Sequence, residues 1–306
     1  MRISFDPAYT APQQKRQGPM SQHDNDPHHD GDFSSDFKRM LTRRNVLVGA
    51  GALTVAGAAL YAQGAGLRPP PMAPSPEVLG TTENGEICVG QPQETNGPFP
   101  ADGTNAREGQ TVNALTLAGV IRPDITSSIA GLTGTAEGVS MDLTMNLVNV
   151  DTACSPIAGM AVYVWHCDAA GQYSLYEIED QNYLRGMQIA DANGSVTFNS
   201  ILPGTYRGRW PHVHFEVFRS AHAAVSGEKA LLVGQLAFEK ALVSSGYYAA
   251  DTRYSESIPN LAVQTLSNDN VFGDSTALQL DAQIVKTTAQ NPSRVAFTSE
   301  IGLTGV

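Results

Sequence analysis

The residues best suited to chemistry are two histidines separated by one valine, His212-Val213-His214. Side chains on a β-strand alternate between its two faces, so both imidazoles point to one side and Val213 points to the other. The two histidine Cα atoms then lie about 7 Å apart, which allows both rings to bind one metal ion. The alternation continues through Phe215 and Val217, whose side chains share the face of Val213. The pair therefore predicts a metal site on a strand whose other face lies in a core.

Two tyrosines beside turns are the next candidates. Tyr206 precedes His212 by six residues, and Tyr173 ends the segment Ala170-Gly171-Gln172-Tyr173. Taken one at a time, a tyrosine at a strand end usually serves packing, and a lone histidine is usually a packed or surface residue. His166 and Asp168, close to Tyr173, are interpreted as satisfied polar residues rather than as partners of the site. No Asp or Glu lies shortly before His212, so the common triad of two histidines and a carboxylate is not evident.

The elements that must position these residues are short strands. Alternating apolar residues predict strands at 112–120, 141–147, 161–166, 187–190, 196–201, 230–238, 277–285 and 295–303. The segment Asp191-Ala192-Asn193-Gly194 is typical of a hairpin turn, and residues 243–270 are interpreted largely as loop. Strands at roughly ten-residue spacing predict an all-β protein with a single β-sandwich or barrel domain at about residues 83–306.

Composition excludes some functions. The 306 residues carry a formal charge of −11, which argues against nucleic acid as a partner because phosphates need a basic surface. Charged residues make up only 16 %, and 29 glycines and 18 prolines suit a turn-rich β protein. After residue 62 no stretch is apolar for long enough to cross a bilayer.

The N-terminal region has the pattern of a targeting segment. Residues 1–41 are polar, and Arg43-Arg44 then precedes an uncharged, small and apolar run at 46–62, as in a twin-arginine export signal. We therefore predict that residues 1–62 engage the twin-arginine (Tat) export machinery, which would place the protein in the periplasm, outside the cell or on its surface. An uncleaved signal would anchor the chain to the membrane. Residues 63–82, rich in proline, are predicted to be a linker.

Three cysteines follow the leader: Cys88, Cys154 and Cys167. In an exported protein they allow one disulfide and leave one thiol, and the sequence does not decide which pair forms. Because no Cys-x-x-Cys spacing occurs, a structural zinc site is not expected.

Several segments in register resemble the intradiol ring-cleavage dioxygenases. The strongest are Ala161-Val162-Tyr163-Val164-Trp165-His166 with the turn to Tyr173, Ile201-Leu202-Pro203-Gly204-Thr205-Tyr206, and Arg209-Trp210-Pro211-His212-Val213-His214. Leu184-Arg185-Gly186 and Glu94-Thr95-Asn96-Gly97-Pro98-Phe99 look like further parts of the family pattern. The resemblance covers about residues 88–240 and favours the exported branch related to protocatechuate 3,4-dioxygenase. It implies the family's β-sandwich catalytic domain.

The resemblance also implies a cofactor and its ligands. Fe(III) would be held by Tyr173, Tyr206, His212 and His214, and phenolate is a hard anionic donor that suits ferric iron. The implied reaction inserts both atoms of O₂ into a catecholic aromatic and opens the ring between the two hydroxylated carbons, giving a muconate-type dicarboxylic acid. The substrate would displace Tyr173.

Two further residues take roles from the resemblance. Arg209 would stabilise the negative charge that builds on the substrate, and Gln235 would line the pocket as a polar group. Trp210 stands where relatives usually carry a smaller or more polar residue, so the pocket is expected to differ in shape. The choice of catechol and the oligomeric state stay open.

Two other functions stay open at this stage. One is a transthyretin-like surface binding module that no longer catalyses a reaction. The acidic surface and an uncleaved anchor would support this function. The other is a copper or zinc enzyme that uses only the histidines. Iron analysis separates the first from the dioxygenase, and an electron paramagnetic resonance spectrum separates the second.

Overall fold

The computed structural model describes residues 76–243 and 246–306. The predicted export signal at 1–62 and most of the predicted linker lie outside these residues. The end of the linker differs from the prediction, because β1 (Leu79–Thr81) pairs antiparallel with β2 (Ile87–Val89), four residues before the expected start of the domain. Within the described ranges, no helix has the length and apolar character needed to cross a membrane.

Two sheets form a β-sandwich, as the sequence predicts. The first sheet has the strand order β11 (Leu232–Ala237), β10 (His212–Phe218), β7 (Ala161–Trp165), β8 (Arg185–Ile189). The second contains β12 (Lys286–Asn291), β13 (Arg294–Leu303), β5 (Ser140–Asn149), β6 (Ser155–Pro156) and β9 (Ser195–Ile201). A small hairpin of β3 (Asp102–Arg107) and β4 (Gln110–Asn113) lies apart from both.

The core lies between the two sheets and follows the two-residue period of the strands. Met141, Leu143, Met145 and Leu147 of β5 are all buried, and the polar residues between them are half-exposed. From the first sheet, alternate residues of β7 and β10 join the same cluster: Val162, Val164, Val213, Phe215 and Val217. Burying aliphatic and aromatic side chains of this size contributes about 1.5–3 kcal/mol each. The predicted inward face of the His-Val-His strand is therefore confirmed.

The opposite face of the first sheet is also buried. A second cluster covers it, in which Tyr163 and Trp165 of β7 pack with Ala101, Leu115 and other residues of the chain before β5. His212 and His214 are on this covered face, 1 % and 2 % exposed. The functional groups thus lie between a rigid sheet and the loops that cover it, where water is largely excluded.

Three predicted elements differ in the structure. The predicted strand at 277–285 is α5 (Ala277–Gln283), because Thr276 and Gln279 form a capping box and the segment between the caps holds no β-branched residue. The predicted strand at 112–120 is reduced to β4, and turns bonded through Ala114 and Leu117 follow it.

The predicted loop at 243–270 contains short helical pieces in its described part. They are α3 (Tyr247–Ala250), α4 (Ile258–Val263) and the 3₁₀ turns Thr252–Tyr254 and Leu266–Asn268. Two more short helices, α1 (Ala221–Val225) and α2 (Lys240–Val243), flank β11. All are too short for an amphipathic period to show in the sequence.

The structure decides the cysteine pairing that the sequence left open. Cys88 and Cys154 form a disulfide across 66 residues of chain, and Cys167 is a free thiol that is buried. The bond ties β2, near the start of the described chain, to the turn that follows β5.

Candidate active site

A close contact between two turns brings the tyrosines together. After β7, the Asp168 carboxylate accepts hydrogen bonds from the backbone N–H groups of Ala170 and Gln172, which closes the turn that leads to Tyr173. Gly171 has φ = +92°, and a Cβ there would lie 2.9 Å from the carbonyl oxygen of Thr205. Position 171 therefore requires glycine, because the backbone has a positive φ and because a Cβ atom would have no room. The turn rests against the residue before Tyr206.

The four predicted metal ligands converge at one point. The Tyr173 hydroxyl lies 3.4 Å from the Tyr206 hydroxyl and 3.4 Å from Nε2 of His212. His212 Nε2 lies 3.1 Å from His214 Nε2. Two phenol oxygens and two imidazole nitrogens thus face one another, and Tyr173, His212 and His214 are buried.

The surroundings of the histidines orient the nitrogens inward. Nδ1 of His212 lies 2.6 Å from the carbonyl oxygen of Trp210, an acceptor, so Nδ1 carries the proton and Nε2 carries the lone pair. Arg209 donates to that Nε2 from 3.3 Å, which agrees with the same tautomer because arginine cannot accept. The His214 ring stacks on Trp165, with centroids 4.9 Å apart and planes at 9°.

Burial keeps all four groups uncharged before a cation binds. It lowers the pKa of His212 and of His214 well below the usual range, and the nearby Arg209 charge adds to the effect for both rings. Burial also raises the pKa of Tyr206 to about 12 and the pKa of Tyr173 well above its usual range. Neutral imidazoles are ready ligands, whereas the phenols would release their protons only when a strong Lewis acid binds their oxygens.

This donor set fits a hard trivalent ion. Across the described ranges, no group of three or more His, Cys, Asp or Glu residues could hold a metal, so a metal site here depends on the tyrosines. Phenolate favours Fe(III), and imidazole accepts iron in either oxidation state. Histidine-only binding of copper or zinc would leave two phenols facing the metal without a role.

Comparisons with known proteins agree with this geometry. Residues 126–250 match the family model described as Dioxygenase (Dioxygenase_C). The structure superposes on an intradiol ring-cleavage dioxygenase from Tetranychus urticae with a TM-score of 0.52 and 23 % identity, over 72 % of this chain and 96 % of that one. The domain has the intradiol dioxygenase fold. The fold that the motif resemblance implies is thereby confirmed.

Two curated relatives show sequence similarity over shorter stretches. A chlorocatechol 1,2-dioxygenase from Rhodococcus opacus is 40 % identical over 58 residues, 18 % of this chain and 23 % of the relative. A catechol 1,2-dioxygenase from Pseudomonas sp. (strain EST1001) is 40 % identical over 57 residues, 18 % of this chain and 19 % of the relative. The matches span less than a quarter of each relative. The protocatechuate-like branch stays a prediction.

Arg209 and Gln235 both lie next to the four converging side chains. Arg209 is 1 % exposed and donates to Gln235 Oε1 over 2.6 Å as well as to His212. Gln235 stands opposite His214 in the pairing of β10 with β11, and its amide donates to the Thr95 carbonyl over 2.9 Å. Gln235 thus links the arginine to the loop that covers the site. It supports Arg209, and its role as a pocket residue stays a prediction.

The structure adds residues that the sequence did not indicate. Asp269 accepts a hydrogen bond from Arg209 over 3.0 Å, and the Phe272 ring lies 5.9 Å from the Arg209 guanidinium carbon and 6.5 Å from the His212 ring. Phe99, which ends a segment that the sequence did indicate, packs on Tyr173 with centroids 5.1 Å apart. Asp269 and Phe272 are in a segment without strand periodicity, about 60 residues after Arg209, so no local pattern marked them.

His166 is a satisfied core residue, in agreement with its interpretation from sequence. Its Nδ1 lies 2.8 Å from the Cys167 carbonyl oxygen and its Nε2 lies 2.7 Å from the Ser200 hydroxyl. The ring therefore donates through Nδ1 and accepts through Nε2, which is the neutral form. Asp168 serves the turn, as described above.

The neutral state of His166 predicts a pH-dependent loss of stability. Burial lowers the pKa of His166 to about 4 in the folded protein, against about 6.5 when unfolded. The stability that the neutral His166 ring contributes is fully present above pH 6.5 and is lost as the pH falls toward 4. At pH 4 the loss amounts to about 3 kcal/mol. Between pH 6.5 and pH 4 the free energy of unfolding, measured with urea on metal-free protein, should fall less steeply for His166→Gln than for wild type. For His222→Gln, which changes an exposed histidine, the free energy of unfolding should fall with pH as it does for wild type. An equally steep fall for His166→Gln would contradict the assignment of His166 as a buried, neutral ring.

Proposed function

We propose that this protein is a non-haem Fe(III) intradiol dioxygenase that cleaves catecholic aromatics between the two hydroxylated carbons, with insertion of both atoms of O₂. The product would be a muconate-type dicarboxylic acid. The observation that carries the proposal is the convergence of two phenols and two imidazoles within 3.1–3.4 Å of their neighbours. The family match at residues 126–250 supports the same reaction class.

The residues Tyr173, Tyr206, His212 and His214 would hold the iron. When bound, ferric iron supplies a Lewis acid that draws electron density from both oxygens of a catechol and stabilises the two tyrosines as phenolates. His212 and His214 add no charge, so the complex keeps one positive charge for an anionic substrate. No organic cofactor and no external reductant are required.

Tyr173 and Tyr206 have different surroundings, which suits different roles. Tyr173 is 1 % exposed and packs against Phe99, and its hydroxyl has both Tyr206 and His212 at 3.4 Å. The Tyr173 oxygen would be able to hold a proton released by the catechol, because burial raises the pKa of Tyr173 and favours its phenol form. Tyr206 would remain a phenolate throughout.

Arg209 supplies a fixed positive charge at the reacting centre. Burial would lower the pKa of Arg209, but the Asp269 carboxylate overcomes this and raises it, so the guanidinium remains charged. The group is held rigidly before substrate binds and therefore needs no reorganisation when negative charge develops on the ring. Phe272 beside Arg209 and Phe99 beside Tyr173 would provide apolar walls for an aromatic ring.

The substrate class is proposed on chemical grounds and on the names of the relatives. A ferric ion that binds two oxygens of its substrate would select two adjacent hydroxyls, so the substrate is a catecholic aromatic. The curated relatives act on chlorocatechol and catechol. For cellular location we propose export by the twin-arginine route, on the basis of Arg43-Arg44 and the apolar run at 46–62.

Metal content and colour test the proposal. Iron-loaded protein should bind one ferric ion per chain, absorb visible light through phenolate-to-iron charge transfer, and give a high-spin ferric resonance spectrum. Adding catechol without O₂ should shift the visible band. A pure, iron-replete and colourless protein would contradict the tyrosine ligands. A protein that binds aromatics without taking up any metal would instead support the non-catalytic binding module.

A further inference from the structure

We propose that Asp269 is a positioning residue for ring cleavage, which sets the active-site arginine through a buried ion pair. The inference rests on the proposed function, because the arginine matters only if the site handles an anionic substrate. Asp269 would touch neither substrate nor iron. It acts through Arg209 alone.

The contacts of Asp269 are complete and buried. The residue is 2 % exposed, and its Oδ2 accepts from Arg209 Nε over 3.0 Å and from the Trp210 backbone N–H over 2.7 Å. Its Oδ1 accepts from the backbone N–H groups of Val271 and Phe272 over 2.8 and 3.3 Å. One carboxylate thus binds the arginine side chain, the backbone next to it and the segment that carries Phe272.

Three contacts fix the guanidinium plane. Nε of Arg209 donates to Asp269, Nη2 donates to Gln235 over 2.6 Å, and Nη1 donates to His212 Nε2 over 3.3 Å. When iron is bound, His212 Nε2 would give its lone pair to the metal, so the Asp269 and Gln235 contacts would be the ones that hold the planar group in place. The Asp269 contact is the only charged one of the three, and it determines how deeply the group enters the site.

Electrostatics explains why a carboxylate is needed at this position. Arg209 Nη1 lies within hydrogen-bond distance of a nitrogen that would bind a trivalent cation. Like charges at this distance repel strongly in a buried site, so an unpaired guanidinium would be driven away from the metal. Asp269 compensates the arginine charge from the opposite side, and the two side chains are 1 % and 0 % exposed.

Asp269 also completes a longer row of contacts to the loop at 202–210, which carries Tyr206 and Arg209. Side chains of the segment at 248–269 hydrogen-bond to successive backbone groups of this loop. The contacts run from Tyr254 to the Leu202 carbonyl, Tyr248 to the Pro203 carbonyl, Ser257 to the Thr205 N–H, Asn260 to the Thr205 carbonyl, Gln264 to the Gly208 carbonyl and Asp269 to the Trp210 N–H. Of these, Asp269 alone also binds an active-site side chain.

Asp269→Asn tests the inference, with Tyr254→Phe as the matched control. The control removes a buried hydrogen bond from the same row, 2.8 Å long, and a second one that the hydroxyl accepts from the Val139 N–H, without touching Arg209. Both variants should lose stability. Only Asp269→Asn should lower kcat, by about 10–100-fold, with iron content unchanged and the KM for catechol within about threefold. Asp269→Glu, which keeps the charge but displaces the guanidinium, should fold and also lower kcat.

A second readout needs neither iron nor turnover. In metal-free wild type, the Arg209 Nε–H proton should exchange slowly with solvent in nuclear magnetic resonance spectra, because it is buried and bonded. Exchange should become fast in Asp269→Asn and stay slow in Tyr254→Phe.

The outcomes separate the two proposals. If iron-loaded wild type consumes no O₂ with any catechol, the proposed function fails. If wild type is active but Asp269→Asn, or Asp269→Glu where the first does not fold, turns over like Tyr254→Phe, the positioning role of Asp269 is overturned and the proposed function stands.

Discussion

Replacing Tyr206 by phenylalanine is expected to abolish ring cleavage and remove most of the visible colour. The substitution deletes one phenol oxygen from the converging set, 3.4 Å from that of Tyr173. Losing an outer partner of a metal ligand costs about 10–100-fold, so losing a ligand should exceed about 100-fold in kcat. Iron affinity should fall as well, because one of the two anionic donors is gone. The measurements are O₂ uptake, iron content per chain and the absorption spectrum.

Tyr176→Phe is the matched control for this variant. Tyr176 is also buried and packs on Phe99, but its hydroxyl bonds to Asn105 and Ala101 rather than to the ligand set. This control should keep colour and turnover within about threefold of wild type, since an ordinary hydrogen bond contributes only about 1 kcal/mol. If Tyr206→Phe retained full iron content and full turnover, the assignment of Tyr206 as a ligand would be wrong.

Replacing Arg209 by methionine should affect catalysis and folding together. The variant removes the fixed charge at the reacting centre, and loss of one preorganised donor of this kind costs about 100–1,000-fold in kcat. It also leaves the Asp269 carboxylate buried without its cation, which costs about 3–5 kcal/mol of stability. Steady-state kinetics and urea unfolding measure the two effects. Iron content should remain near one per chain, because Arg209 is not a proposed ligand.

Arg207→Met controls for the loss of an arginine from the same loop. Arg207 is exposed, two residues from Arg209. Its substitution should leave kcat within about twofold, and its effect on stability should stay within about 0.5 kcal/mol. Equal losses of kcat and stability in the two variants would show that the loop tolerates neither substitution. That result would contradict a specific role for Arg209.

The sequence predicts those residues of the site whose positions follow from local strand and turn patterns. The two-residue period of β10 places His212 and His214 on one face and Val213 on the other, and the structure has them so. The turns at Gly171 and Gly204 come just before the two tyrosines, which lie in the loops that follow β7 and β9. The motif resemblance then predicted that these four residues meet, which the structure shows.

The parts that were missed depend on distant contacts. Asp269 is 60 residues from Arg209 in sequence, and nothing in its own neighbourhood indicates a partner. The pairing of Cys88 with Cys154 depends on how β2 packs beside the turn after β5. Apolar residues alternate with polar ones through Leu278, Leu280, Ala282 and Ile284, which predicts a strand, whereas the capping box at Thr276 favours the helix α5 that the structure has.

The most direct test of the account is ring cleavage under labelled oxygen. Iron-loaded protein is incubated with a panel of catechol, protocatechuate, hydroxyquinol and chlorinated or methylated catechols, and O₂ uptake and products are measured. We expect at least one substrate to consume one O₂ per ring and to yield a dicarboxylic acid that carries both ¹⁸O atoms of ¹⁸O₂. Folded, iron-replete protein that consumes no O₂ with any of these compounds, or that incorporates only one labelled atom, would contradict the assignment as an intradiol dioxygenase.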